Sequence, residues 1–459
     1  MTTTHQPARR AFLQRLGQLG LAGTATPWAL NLAAMGEAAA FTATDYKALV
    51  CVFLYGGNDN GNTLIPYDAT GHAQYASVRT NLALARADLA ATALGPRTAL
   101  VGGVQYALAP SLAPLKTLFD GGRLAVQLNV GTLVQPTTVA QFKAQSVPLP
   151  PKLFSHNDQQ SYWQSSRAEG AVLGWGGTLG DLALSGNGGS VFTCMSVTGN
   201  AVFLSGLNAL SYQIGSDGAV PIKAATAPLY GSSACQNALR TLITQARTHV
   251  LENEYTRIVN RSISSQGTLA SALGSGTSVD SYFTDTGTLS KQLKMVARLI
   301  AARNTLGLKR QVFLVSLGGF DTHDGLLAKQ PPLLAQVASA LTGFQAAIDS
   351  LGLAPNVTAF TASDFGRTLT SNGDGSDHGW GSTHFVLGGA VSGAAYYGTP
   401  PQLVLNGPDD VGQGRLLPST AVDQYAATLA RWFGVSDSEL PLVMPNITNY
   451  ASRNVGFMG

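Results

Sequence analysis

The sequence predicts an α/β fold with a doubly wound, mostly parallel central sheet and helices on both of its faces. Two observations lead there. Four apolar runs without alternation end abruptly at Gly, Ser or Asp, as strands covered on both faces do. Segments with a helical apolar period fall between several of these runs, so right-handed crossovers join the strands.

The first run, Leu49-Val-Cys-Val-Phe-Leu-Tyr55, stops at Gly56-Gly57-Asn58-Asp59. The second, Leu124-Ala-Val-Gln-Leu-Asn-Val130, stops at Gly131. Val312-Phe-Leu-Val-Ser-Leu317 leads into Gly318-Gly319-Phe320-Asp321, and Val357-Thr-Ala-Phe-Thr361 into Ala362-Ser363-Asp364. The helical segments are 290–306, 333–351 and 421–433. The first gathers Leu293, Val296 and Ile300 on one face, the second Val337, Leu341 and Phe344, and the third Tyr425, Leu429 and Trp432. The stretch 185–285 is rich in Gly, Ser, Thr and Ala with weak periodicity. It is expected to be an insertion into a single domain spanning 41–459.

Residues 1–40 read as a targeting segment and are kept out of the fold. Arg9-Arg10-Ala11-Phe12-Leu13 has the order of a twin-arginine signal, 16–34 is weakly apolar, and Ala38-Ala39-Ala40 suits a signal peptidase. The expected localisation is periplasmic or secreted, with the twin-arginine translocase as a partner during export. No other stretch of the length a membrane span needs is uniformly apolar, so no transmembrane segment is expected. The chain carries +3, from 28 Lys and Arg against 25 Asp and Glu, which offers no reason to propose a nucleic-acid partner. Cys51 is expected to be a buried free thiol, leaving Cys194 and Cys235 as the pair open to a bridge after export.

Ligands of an open α/β sheet bind beyond the carboxyl ends of its strands. Three runs deliver an Asp to that edge: Asp59, Asp321 and Asp364. Gathered carboxylates repel one another unless protons or cations neutralise them, and divalent metals with His completing the shell are the usual solution. His323 follows Asp321 by two residues, and His378 lies in Asp377-His378-Gly379-Trp380-Gly381. Plainer readings compete. Asp59 could cap a turn, Asp364 could pair with Arg367, and His384 could be a core residue. His72 and His156 carry no signal of their own. No GxxxxGK[ST], GxGxxG after a strand, or GxSxG is present, which sets aside nucleotide and ordinary α/β-hydrolase chemistry.

Four motifs in order resemble the domain of unknown function 1501 family: Val52-Phe53-Leu54-Tyr55-Gly56-Gly57-Asn58-Asp59, Gly319-Phe320-Asp321-Thr322-His323, Ser363-Asp364-Phe365-Gly366-Arg367-Thr368 and Asp377-His378-Gly379-Trp380-Gly381. The likeness covers nearly all of 47–450. It implies bacterial, usually twin-arginine-exported proteins with an alkaline-phosphatase-like fold. In that superfamily two metals sit at the carboxyl edge of the sheet, and an alcohol at a helix start attacks phosphorus or sulfur.

Carried over, the resemblance makes Asp59, Asp321, His323, Asp364 and His378 metal ligands. Ser155 becomes the nucleophile, with Thr63 a lesser candidate and a plain helix cap the competing reading of Ser155. Arg367 is expected to hold a substrate oxygen bidentately. The implied cofactor is a divalent metal, zinc first, with manganese or calcium as alternatives. Two departures stand out. Phe365 occupies the place where alkaline phosphatases carry a His, and no Cys has the Cys-x-Pro-x-Arg context of formylglycine sulfatases. The expected function is a metal-dependent hydrolase of phosphate- or sulfate-type esters of unspecified substrate. The alternative is a non-catalytic envelope or extracellular binding protein that keeps the fold.

Overall fold

In the computed structural model, which describes residues 44–459, the first expected strand lies near the middle of the main sheet. The targeting segment expected at 1–40 falls outside the described residues. In chain order the strands are β1 (Lys47–Leu54), β2 (Leu64–Pro66), β3 (Tyr106–Leu108), β4 (Leu124–Gly131), β5 (Cys194–Ser196), β6 (Ser211–Gln213), β7 (Arg310–Leu317), β8 (Val357–Ser363), β9 (Ser382–Gly388), β10 (Ala395–Tyr397) and β11 (Thr420–Ala421). β2 and β3 form a small antiparallel pair. The others make a sheet ordered β10-β4-β9-β8-β1-β7-β5-β6, with β11 beside β4. Every pairing in it is parallel except those of β9, which runs antiparallel to β4 and β8.

All four expected strands are present as β1, β4, β7 and β8. Every residue of β4, β7 and β8 is buried, as their unbroken apolar runs require. Among the helices are α1 (Ala69–Arg79), α2 (His156–Ser165), α3 (Ser233–Thr244), α4 (Val250–Ser275), α5 (Thr288–Ala301), α6 (Leu326–Ser350) and α7 (Val422–Phe433). On one face of the sheet, Val50, Val52 and Leu54 of β1 share a core with Leu293, Val296 and Ile300 of α5 and Leu341 and Phe344 of α6. On the other face Tyr425 of α7 meets the Phe360 ring of β8, with centroids 5.8 Å apart. Alternate side chains of each strand thus serve opposite layers. α6 begins seven residues before the expected 333 and runs through Pro331 and Pro332. These lie close enough to its start to remove only early ladder bonds.

The stretch 185–285 departs from the insertion expected of it. Its first part supplies β5 and β6, which extend the main sheet beyond β7, and only the remainder, with α3 and α4, is helical. Its short, mixed strands give little periodic signal, which is why sequence patterning missed them. All three cysteines are free. Cys194 is buried in β5 while Cys235 is exposed on α3, so the bridge left open between them is not formed.

One buried acid makes stability depend on pH. Asp423, fully buried in the first turn of α7, accepts from Ser166 Oγ and the Asn446 amide, each at 3.0 Å. Burial pushes its carboxyl up to about 7 from an ordinary 3.8, against those hydrogen bonds. The folded state therefore keeps a proton that the unfolded chain releases, and stability falls as pH rises from about 4 to about 7. Asp423→Asn is expected to remove that slope and to gain a few kcal/mol above pH 7. Denaturant titrations of both proteins at pH 5 and pH 8 check this; an unchanged difference between the two pH values would refute it.

Candidate metal centre

β1 lies between β7 and β8, and the registers Leu54↔Leu317 and Leu54↔Ser363 end all three strands on one line. Their loops therefore leave the sheet side by side. Gly56, at φ +115°, lets the first loop cross the second, since a Cβ there would overlap the Asp321 amide. The third loop starts at Asp364, which is fully buried.

Asp321 is the hub. Its Oδ1 lies 3.2 Å from His323 Nε2 and 3.4 Å from His378 Nε2, and these two nitrogens are 2.8 Å apart. Its Oδ2 lies 3.5 Å from His156 Nε2. His156, Asp321 and His378 each offer a donor atom within 4.8 Å of the other two. Asp364 joins through its Oδ2, which is 2.6 Å from His156 Nδ1 and also accepts from Gln160 Nε2 and the Gly56 amide.

The second nitrogen of each facing imidazole sets its tautomer. His378 Nδ1 is 2.7 Å from the Phe154 carbonyl oxygen, which can only accept, so Nδ1 carries the proton. His323 Nδ1 is 3.0 Å from Asp377 Oδ1 and donates to it in the same way. In the neutral rings both Nε2 atoms then present lone pairs, to each other and to a carboxylate oxygen. Three acceptors converging within 3.4 Å are reconciled by a cation or by an added proton. A His whose far nitrogen donates to a carbonyl or carboxylate is also the usual partner arrangement of a metal ligand. Further, Asp364 Oδ1 and His156 Nε2 are buried without a hydrogen-bond partner. The donor set of imidazoles and carboxylates suits zinc or manganese; calcium, which prefers oxygen donors alone, fits it poorly.

The electrostatics are graded across the cluster. The hydrogen bond to Asp364 raises the His156 imidazole above its ordinary value, against burial. Burial lowers His378, against its bond to the Phe154 carbonyl. Burial pushes Asp321 upward, but the Arg367 hydrogen bond and charge outweigh it, and the carboxyl ends below its usual range.

The structure brings Asp321, His323, Asp364 and His378 together and leaves Asp59 out. Asp59 turns back to accept from the Asn62 amide at 3.0 Å, as in the capping reading, and from Ser376 Oγ at 2.6 Å. Its Oδ2 also pairs with Arg79 Nη2 of α1 at 2.9 Å, with both side chains about 1% exposed. The sequence gives no sign that this partner, twenty residues on, folds back against the turn.

Arg367 is corrected too. Its Nη1 donates to Asp321 Oδ1 at 2.8 Å and to the Gly56 carbonyl, while Nε and Nη2 donate to the Ser376 carbonyl. Buried and engaged on both edges, the guanidinium positions Asp321 and has no bidentate face for a substrate. The Asp364–Arg367 pair is not formed; Asp364 has His156 instead.

Ser155 stands just before α2, next to the cluster, and its Oγ donates to Asp158 Oδ2 at 2.8 Å. It makes no side-chain cap, so the plain-cap reading does not hold. Thr63 is buried against Asn58 and the Asp59 carbonyl. His384 is a core residue, 3.2 Å from Thr361 Oγ1 and edge-to-face with Trp163, with burial pushing it down to about 3. His156 is the functional residue that sequence reasoning missed. Its one available signal was adjacency to Ser155 at a helix start. Phe365 packs its ring 4.9 Å from His156 and 4.6 Å from His378, so the position that departs from the alkaline phosphatase pattern is an apolar wall of the cluster.

The family model described as "Protein of unknown function (DUF1501)" matches residues 46–442. No curated protein matches the sequence. Among solved structures, the chain is similar to the lipoteichoic acid synthase LtaP from Listeria monocytogenes, with 10% identity and a TM-score of 0.37 over 90% of this chain and 78% of that one. It is also similar to the PsFucS1 sulfatase from Pseudoalteromonas sp., with 9% identity and a TM-score of 0.33 over 89% and 71% of the two chains.

Proposed function

The chain belongs to the DUF1501 family, and on that footing we propose that it is a metal-dependent hydrolase of phosphate- or sulfate-type esters. The observation that carries this reading is the convergence of His323 Nε2, His378 Nε2 and Asp321 Oδ1 at 2.8–3.4 Å. Those three residues would hold a divalent cation, with His156 and Asp364 beside it. Bound there, the cation would polarise the ester and favour ionisation of the attacking alcohol.

The chain's own groups do the rest. Ser155 offers its hydroxyl as nucleophile, and Asp158, to which that hydroxyl already donates, is placed to take its proton. The first turn of α2 has no side-chain cap, and an open helix start attracts an anionic group. Asp364 fixes the His156 ring through Nδ1. Phe154, at φ +74°, is held in the left-handed region at a cost on the order of 1–3 kcal/mol, and its carbonyl orients His378. Strain of this kind gathers at working sites. We place the protein in the periplasm or outside the cell, exported by the twin-arginine route, on the strength of Arg9-Arg10 and the apolar stretch that follows.

Turnover of aryl phosphates, bis-aryl phosphates and aryl sulfates with added zinc or manganese tests the reading. Ser155→Ala is expected to lower turnover roughly a thousandfold or more while metal content stays at the level of the parent. Full metal occupancy with none of the three ester classes turned over would leave the binding-protein alternative standing.

A further inference from the structure

Sixteen large hydrophobic residues are exposed among the described residues, and ten of them lie between Leu207 and Ile258. The concentration is greatest on the hairpin of α3 and α4. Leu251, Tyr255 and Ile258 follow one another at helical spacing along α4, with Val250 beside them and Leu242 on α3. Val250 is 75% exposed, Leu251 72% and Tyr255 60%. Between the helices runs a groove of about 610 Å³ that includes Leu242, Ile243, Leu251 and Tyr255. In the first half of α4 only Thr256 and Val259 are buried, so the helix stands out from the body of the fold. Apolar surface this contiguous marks an interaction site.

Charge identifies the partner. From 220 to 261 the chain carries five cations (Lys223, Arg240, Arg247, Arg257, Arg261) against Glu252 and Glu254, or 5 − 2 = +3. The whole chain carries 28 − 25 = +3. Residues 1–43 hold Arg9, Arg10 and Arg15 against Glu37, so the described residues carry 3 − 2 = +1 and, outside 220–261, 1 − 3 = −2. The positive charge of the described residues is concentrated in the segment that bears this apolar face. Helices that pair an apolar stripe with basic flanks and carry tyrosines bind anionic lipid in the plane of the headgroups. A second copy fits less well, because a two-fold contact would set two +3 surfaces against each other. No described helix is long and apolar enough to cross a membrane.

We infer that the α3–α4 hairpin is a foot that rests the protein on an anionic lipid surface. The inference is independent of the metal centre. Cys235 on α3 is exposed while Cys51 and Cys194 are buried, so an environment-sensitive fluorophore on Cys235 reports on the hairpin. In the labelled full-length protein, vesicles containing phosphatidylglycerol are expected to shift its emission to the blue, and phosphatidylcholine vesicles are not. Binding should weaken as salt rises. Leu251→Ser with Tyr255→Ser, and separately Arg257→Glu with Arg261→Glu, should each weaken binding roughly tenfold or more. These side chains are exposed, so the fold should tolerate the changes. No shift with phosphatidylglycerol at low salt, equal shifts with both lipids, or binding unaltered in both double variants would overturn the proposal. A shift that appears with protein concentration alone would overturn it in favour of self-association.

Discussion

Asp321→Ala is expected to reduce zinc or manganese from one ion per chain to background, and hydrolysis with it. The carboxylate faces all three imidazoles of the cluster. One oxygen faces His323 and His378, and the other faces His156. Its loss removes a ligand and also leaves the buried Arg367 guanidinium without its counter-charge. That charge would then sit beside the two imidazoles and repel a cation. Affinity should fall by more than the roughly 10–100-fold typical of losing an outer partner. Asp321→Asn separates the two effects, because its amide oxygen can still accept from Arg367 while the negative charge is gone. Elemental analysis after dialysis, with unfolding curves for both variants, is the measurement. Full metal content in Asp321→Ala would end the metal-centre reading.

Asp59→Ala is expected to do the opposite, destabilising the fold and leaving metal binding intact in the molecules that remain folded. Arg79 would keep a buried charge with no partner carboxylate, Ser376 Oγ would lose its acceptor, and the Asn62 amide would keep only its longer bond, 3.3 Å, to the carbonyl of residue 59. Breaking a buried pair from one side costs about 3–5 kcal/mol. The paired replacement Asp59→Leu with Arg79→Met removes both charges and should recover much of that loss. Denaturant unfolding of the three proteins, read beside their metal content, distinguishes a structural acid from a ligand. Metal loss with unchanged stability would restore Asp59 to the cluster.

The contrast between these two acids shows what the sequence can and cannot disclose. Both follow a buried strand and a Gly pair, and local pattern treats them alike. Their difference lies in partners far along the chain: Arg79 closes on Asp59, whereas His323 and His378 face Asp321. The central strands were legible because burial on both faces leaves an unbroken apolar run, as in β1 and β7. β9 was not, because Ser382, Thr383 and His384 interrupt its pattern although every residue in it is buried. His156 escaped notice because a single His at a helix start has no periodicity and no spacing to a partner. Its meaning comes only from Asp364, which lies 208 positions away. Arg367 was expected to hold a substrate oxygen and instead holds Asp321; charge alone does not say whether a guanidinium waits for a ligand or already holds a neighbour.

The clasp between Arg367 and Asp321 has a consequence for assembly. A guanidinium that already grips the hub carboxylate keeps the three loops in place before any ion arrives. On the metal-centre reading, form would come first and loading second, because the residues that would hold the ion are already set by contacts within the chain.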